Sequence, residues 1–419
     1  MNIDLRLLFS DDAEVMRENA IRAMSKFALK KGIISFSGGM PNPETFPIEA
    51  ISRFAQEILQ EEGANALQYG LTLGHTKLIE ALCKFMERRQ VFGVAPENII
   101  ITNGSAQGID LVGRLFLNPG DAVLFELPSY IGAILSYANF RATLVGVACD
   151  EHGVSLEDLK NKIRGLRHEG KPIKLMYTIP NFQNPSGVTL QWERRQPLLD
   201  ILADEGVLLV EDDPYGEIYF QGVDPASLIP IKAFDKDHNV IYLGTFSKLL
   251  AAGLRGAWAV AHPDIIRKME LAKQVGDICG SSLDQRIIYR CLRDNLIDRH
   301  VPVIRKFYEA RCQAMLAALE KHFPEGTRWN RPRGGLFVLV TLPEGMDSEA
   351  LLKMALDEYN VSFVSGKPFF VDGQGANTIR LAYSKETAGN IEEGIRRLGE
   401  LIKKHLCTPH PPLKPAAAR

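Results

Sequence analysis

The sequence predicts an α/β protein: a mainly parallel, seven-stranded sheet with helices on both faces, joined to a smaller α+β domain. Three observations carry that reading. Short apolar runs recur through the first two thirds of the chain, too apolar to be half-exposed strands. Segments with helical spacing separate them. After about residue 262 the pattern changes to long helices and a second set of strand-like runs.

The runs are NIIIT (98–102), AVLFE (122–126), ATLVGVA (142–148), IKLMYT (173–178), VLLVE (207–211), VIYLG (240–244) and AWAVA (257–261). Among the spacers, KLIEALCKFMERR sets Leu78, Ile79, Leu82, Phe85 and Met86 on one helical face. Further on, PVIRKFYEARCQAMLAALEKHF aligns Ile304, Phe307, Tyr308, Met315 and Leu319 and predicts a helix from Pro302. GGLFVLVTL, VSFV and NTIRLAYS then read as strands, and IEEGIRRLGELIKKHL as a closing helix. The expected division is an N-terminal segment joining the small domain (1–47), a large domain (48–300), a small domain (301–406) and a proline-rich, disordered tail (407–419). His405, Cys407 and His410 are a weak metal trio in that tail, so no metal site is expected.

Composition narrows the function. A length of 419 residues favours two packed domains. With 49 basic and 51 acidic side chains, the net charge of -2 leaves no electrostatic footprint for nucleic acid or an anionic membrane, so small molecules are the expected partners. The start, MNIDLRLLFSDDAEV, carries Asp4, Asp11 and Asp12 where a secretory signal needs a basic start and an apolar stretch. The 6 cysteines are scattered without a CxxC pair, the pattern of reduced thiols in a cytoplasmic protein. One phosphate-loop look-alike, GLRHEGKP at 165–172, places Pro172 where a hydroxyl belongs and precedes a strand instead of following one.

In an open parallel sheet, ligands sit outside the carboxyl ends of the strands. After NIIIT comes NGSAQG, a glycine-flanked turn into a helix, where free backbone amides attract an anion. After VLLVE come Asp212, Asp213 and Tyr215; after VIYLG come Thr245, Ser247, Lys248 and then Arg255; after IKLMYT comes PNFQNPSG with Asn184. Each alone has a plain alternative. NGSAQG fits an ordinary strand-to-helix turn, Asp212 and Asp213 a solvated cap, and Lys248 a snorkelling side chain. Together they match one ligand, pyridoxal phosphate. Its phosphate suits the amides near Ser105, the hydroxyls of Thr245 and Ser247 and the fork of Arg255, while its aldehyde suits Lys248.

LQYG, TNGSAQG, PSY, PNFQNPSG, EDDPYGEIYF, GTFSKLLAAGLR and NTIRLAYS, in this order, resemble the fold-type I pyridoxal phosphate enzymes, specifically the class I/II aminotransferases and their 2-aminoadipate, kynurenine and related broad-range branch. The likeness runs from ISFSGGMPNPETFP to about Leu406. It implies that Lys248 is the Schiff-base lysine, Asp212 the acid paired with the pyridine nitrogen, and Tyr215 and Asn184 the donors to the ring oxygen. By the same likeness Tyr130 stacks on the ring, and Ser105, Ala106 and Gln107 belong to the phosphate loop. Tyr69 reaches the phosphate of a partner subunit, which implies a homodimer with shared sites. Arg380 grips the substrate α-carboxylate, and Gly38 and Gly39 lie over the substrate. The sequence departs from the usual pattern at Ala106, where Gln is common, at Ala252, where proline is frequent, and at Gly256-Ala257.

The expected reaction is ping-pong transamination between an L-amino acid (2-aminoadipate, aromatic or branched-chain) and a 2-oxo acid such as 2-oxoglutarate. Arg22, in NAIRAMSKF, is placed either to meet a side-chain carboxylate or as a surface arginine. Two other readings share the fold: a β-lyase, told apart by ammonia release without an acceptor, and a ligand-sensing regulator. The regulator needs a DNA-binding domain ahead of the fold, where about 30 residues precede ISFSGG.

Overall fold

The computed structural model describes residues 8–20 and 32–406. Arg22 and the tail at 407–419 lie outside the described residues.

The large sheet collects β2 (Ile99–Asn103), β3 (Ala122–Leu127), β4 (Thr143–Asp150), β5 (Gly153–Val154), β6 (Ile173–Thr178), β7 (Leu208–Asp212), β8 (Val240–Thr245) and β9 (Gly256–Val260), after a short β1 (Ile34–Ser35) that pairs elsewhere. Its order is β2-β9-β8-β7-β6-β3-β4-β5. Each apolar run of the sequence became a strand within two residues of its expected ends. The sheet has eight strands where seven were expected, because the two-residue β5 folds back antiparallel on the end of β4 and is too short to leave an apolar run.

Direction matters more than count. Strands β4, β3, β6, β7 and β8 run parallel, while β9 is antiparallel to both β8 and β2. Strand β2 therefore points the same way as β8. The carboxyl ends of β2, β3, β6, β7 and β8 thus share one edge with the starting end of β9, where Arg255 sits.

Helices cover the sheet as their patterns predict. In the helix Thr76–Arg88 the buried residues are Leu78, Ile79, Leu82, Phe85 and Met86. The long helix Leu296–His322 begins ahead of the expected Pro302 and carries that proline inside it, giving up one backbone hydrogen bond. It buries Ile304, Tyr308, Met315 and Leu319, with Phe307 half-buried, and the boundary expected at 300/301 falls within it.

Beyond it, β10 (Arg328–Trp329), β11 (Phe337–Thr341), β12 (Val361–Ser362), β13 (Val364–Ser365) and β14 (Thr378–Ala382) follow. Four of these form an antiparallel sheet in the order β10-β11-β14-β13, and β12 pairs in parallel with β1. That last pairing ties the loop after β1, SGGMPN, to the second sheet and sets it across from the carboxyl edge of the first. Among the described residues, no helix is long and apolar enough to cross a membrane.

Candidate active site

A cavity of about 530 Å³ opens at that edge, between the large sheet, the SGGMPN loop and β14.

One end is an anion cradle. Strand β2 ends at Asn103, and Gly104 turns the chain with φ 83° into the helix Ser105–Phe116. Helix geometry leaves the first amides without intrahelical acceptors, and Ser105 and Ala106 line the cavity. The positive φ favours glycine at 104, and a side chain there would put its Cβ 2.0 Å from Arg255 Nη2 and push the guanidinium aside. Arg255 donates to the carbonyls of Asn103 at 3.1 Å and Ala252 at 3.2 Å, from a left-handed φ of 52°. Thr245 Oγ1 lies 3.0 Å from Ser247 Oγ and accepts from the Ser247 N–H at 3.1 Å. A guanidinium, two hydroxyls and helix-terminal amides thus face one space.

The middle holds Lys248 and Asp212. Lys248, three residues past the end of β8, donates from Nζ to the Gly39 carbonyl at 2.9 Å. Asp212 ends β7 and is buried; its Oδ2 accepts from the Tyr177 hydroxyl at 2.7 Å, and its Oδ1 has no protein partner. Burial pushes the Asp212 carboxyl up to about 7, against the Tyr177 hydrogen bond and the charge of Lys248, which favour ionisation.

The solvated-cap reading of Asp212 and Asp213 is corrected, since both are buried. Alternation along the strand gives the two carboxylates different surroundings. Asp213 takes a 2.8 Å ion pair from Arg89, donors from Asn181 Nδ2 at 3.1 Å and the Gly216 N–H at 3.1 Å, and the Tyr242 hydroxyl at 3.3 Å. Asp213 is thereby a structural anchor for the DDPYG turn, leaving Asp212 to the cavity.

The other end is built for a carboxylate. Arg380, in β14, is buried; it donates from Nη1 to Asn184 Oδ1 at 2.9 Å and from Nη2 to the Ser37 carbonyl, while its Nε has no partner. Its guanidinium lies 4.4 Å from the centroid of the Phe337 ring and 5.3 Å from that of Phe369. Burial brings the Arg380 guanidinium down to about 10, so it stays charged at neutral pH. Tyr215 meets Phe337 edge to face at 5.8 Å, and burial pushes its hydroxyl up.

Of the residues expected from sequence, the cavity lining brings together Gly38, Gly39, Ser105, Ala106, Tyr130, Asn184, Asp212, Tyr215, Thr245, Ser247, Lys248, Arg255 and Arg380. Gln107, also expected in the phosphate loop, is not in the cavity lining: its side-chain amide is hydrogen-bonded to the Asn103 N–H and to Asp277, behind the cradle. Tyr69 lies away from this cavity, 76% exposed. Arg22 falls outside the described residues.

Sequence reasoning missed Phe337, Ile179 and Pro214, which also line the cavity, as does Met40 of SFSGGM. Phe337 and Ile179 read simply as strand or strand-end residues, with nothing in spacing alone to set them apart. It also missed Glu126, whose carboxylate accepts from the Ile179 N–H at 2.7 Å and Thr178 Oγ1 at 2.8 Å and which burial pushes up to about 7.

These residues fit pyridoxal phosphate. The buried, unpartnered Asp212 Oδ1 suits a cationic N–H, the cradle suits a phosphate, and the primary amine of Lys248 lines the same cavity.

Comparisons with known proteins agree. The family model for aminotransferase class I and II matches residues 32–398. The chain is 41% identical over 404 residues to aromatic-amino-acid aminotransferase 1 of Thermococcus litoralis, covering 96% of each. It is 40% identical over 395 residues to 2-aminoadipate transaminase of Thermus thermophilus, covering 94% of this chain and 96% of that protein. A crystal structure of Pyrococcus horikoshii kynurenine aminotransferase in complex with PMP, KYN and KYA superimposes with a TM-score of 0.92 at 43% identity, covering 97% of this chain and 99% of that one.

Proposed function

The chain belongs to the class I and II aminotransferases, and from that membership we propose that it is a broad-range transaminase. It works with pyridoxal phosphate as cofactor. In this reading the amino group of 2-aminoadipate, an aromatic or a branched-chain L-amino acid passes to a 2-oxo acid such as 2-oxoglutarate. The observation that carries it is the buried Asp212 Oδ1, without a protein partner, in the same cavity as the amine of Lys248 and the buried charge of Arg380.

Bound pyridoxal phosphate supplies an aldehyde for the substrate amine and a conjugated ring that takes up the electron pair left by the α-proton. Arg255, Thr245, Ser247 and the amides of Ser105 and Ala106 hold the phosphate. Asp212, with its buried Oδ1 unpartnered, is the residue that would pair with the ring nitrogen and favour its protonated form. Tyr215 and Asn184 would hold the ring oxygen, and Tyr130 would pack on the ring. Arg380 binds the α-carboxylate, its charge undiluted by solvent in a buried site. Lys248 Nζ, steered by the Gly39 carbonyl, takes the α-proton as general base and returns it as general acid. Gly38 and Gly39 close over the substrate and exclude water. The same residues then act in reverse on the second substrate, which gives ping-pong kinetics.

Breadth of substrate is supported by the apolar share of the lining: Phe337, Met40 and Ile179 offer contact without a charged group to demand one side chain. A homodimer with Tyr69 reaching the partner's site is supported by the exposure of Leu67 (71%), Tyr69 (76%) and Leu71 (65%). A cytoplasmic location fits the free thiols of Cys83, Cys149, Cys279, Cys291 and Cys312. A division into a cofactor-holding domain and a small domain with the segment around β1 attached is supported by the separate sheets and by β1 pairing with β12, with the helix Leu296–His322 running across the expected 300/301 boundary.

The test is a glutamate-coupled assay of the purified protein against 2-oxo acids of acidic, aromatic and branched side chains. Turnover with several classes is expected. Turnover with one class alone sinks the breadth, and steady ammonia release without an acceptor replaces the transaminase by a β-lyase.

A further inference from the structure

The cradle loop is held from behind by a charged side chain that never meets the cavity. Asp277 caps the helix Pro263–Gly276 and receives three side-chain donors. Its Oδ2 accepts from Asn103 Nδ2 and, at 2.9 Å, from Gln107 Nε2; its Oδ1 accepts from Lys273 Nζ at 2.9 Å. Gln107 completes the ring by accepting the Asn103 N–H on Oε1 at 2.8 Å. Asn103 and Gln107 bracket Gly104, Ser105 and Ala106, and the Asn103 carbonyl takes the Arg255 guanidinium. One carboxylate thus fixes both ends of the loop and, through Asn103, the stance of the arginine.

Two features show that this arrangement is built. The Lys273 side chain is 0% exposed, so its charge is buried beside Asp277, a costly placement without that partner. Next to Asp277, Ile278 has φ 63°, a left-handed angle that is strained for a β-branched residue. The chain accepts both costs where it turns Asp277 toward the loop.

We infer that Asp277, backed by Lys273, is a positioning residue for the cofactor phosphate, acting through Asn103 and Gln107. It holds the amides of Ser105 and Ala106 and the Arg255 fork in a preformed cradle, so that phosphate binding does not have to order them. This rests on the pyridoxal phosphate reading of the cavity, and the test separates the two. The full-length protein is prepared as holoenzyme, stripped of cofactor, and titrated with pyridoxal phosphate and with pyridoxal, which lacks the phosphate.

Asp277→Ala is expected to weaken pyridoxal phosphate by roughly tenfold to a hundredfold, the loss of charge-assisted hydrogen bonds, and to leave pyridoxal unchanged. Gln107→Met, which buries no orphan charge, is expected to show the same selectivity with a smaller factor, and it keeps the test open if Asp277→Ala fails to fold. Equal weakening of both ligands, or of neither, in the folded variant overturns the positioning role. Arg255→Ala is the control. If it leaves pyridoxal phosphate affinity unchanged, the cradle reading itself fails; if it weakens binding while Gln107→Met and Asp277→Ala do not, only the Asp277 inference fails.

Discussion

The Tyr177 hydroxyl donates to Asp212 Oδ2 at 2.7 Å, and the other carboxylate oxygen, Oδ1, is thereby left for the cavity. Tyr177 stands in β6 beside β7, where a cross-strand neighbour can reach the last residue of the strand. A buried carboxylate with one oxygen satisfied is oriented as well as destabilised, which suits an acceptor for a single N–H.

That burial has a pH signature. Asp212 titrates from 3.8 when unfolded up to about 7 in the fold, mainly because burial disfavours its charge. The folded state then holds a proton that the unfolded state has lost, so this contribution to stability is full below 3.8 and is lost as pH rises to about 7. Asp212→Asn removes the titration and keeps the shape. Without cofactor, the variant gains on the wild type by up to about 1.4 kcal/mol per pH unit as pH rises from 5 to 7, and the gain levels off above. Denaturant unfolding at several pH values measures it; a difference that is flat or shrinks from pH 5 to 7 contradicts the placement of Asp212.

Arg380→Gln leaves the cavity without its buried cation. Charge-assisted hydrogen bonds of this kind are worth about 1.5–3 kcal/mol, so kcat/KM for every amino acid falls by roughly tenfold to a hundredfold or more. The corresponding amines, which lack the carboxylate, are affected far less. Steady-state kinetics on matched acid and amine pairs decide it, and equal losses on both deny Arg380 its role.

At Gly39 a methyl group would meet the Phe337 ring at 2.3 Å and 2.5 Å. Gly39→Ala therefore displaces the loop whose carbonyl holds Lys248 Nζ, and kcat falls on the order of a hundredfold. Phe337→Leu in the same chain makes room, and the double variant recovers part of the loss. Strict additivity of the two changes speaks against this contact as the cause.

Most of the chemistry was legible because it stands at strand ends. Lys248, Asp212 and Asn184 each follow an apolar run, and a parallel sheet brings such positions to one edge. Arg255 was legible only as a continuation of the segment after VIYLG; that β9 reverses direction, so that the residue before it returns to the same edge, came from the structure. Arg380 lies inside a strand of the second sheet, where only the family resemblance distinguished NTIRLAYS from any other strand.

Tyr177, Phe337, Glu126 and Asp277 were not legible. The first three are ordinary strand residues in sequence, and their importance comes from neighbours far along the chain. Asp277 reads as one acid after a helix. Gln107 was legible as part of the loop, while the direction of its side chain depended on Asp277, 170 residues away.

The most direct test is reductive trapping. The holoenzyme is treated with borohydride, digested, and mapped by mass spectrometry, with Lys248→Ala alongside. The account predicts one pyridoxyl-phosphate adduct per chain, on Lys248, and in the variant no adduct and a transamination rate reduced on the order of 10⁴-fold. An adduct on another lysine, or a variant that still transaminates at the wild-type rate, contradicts it.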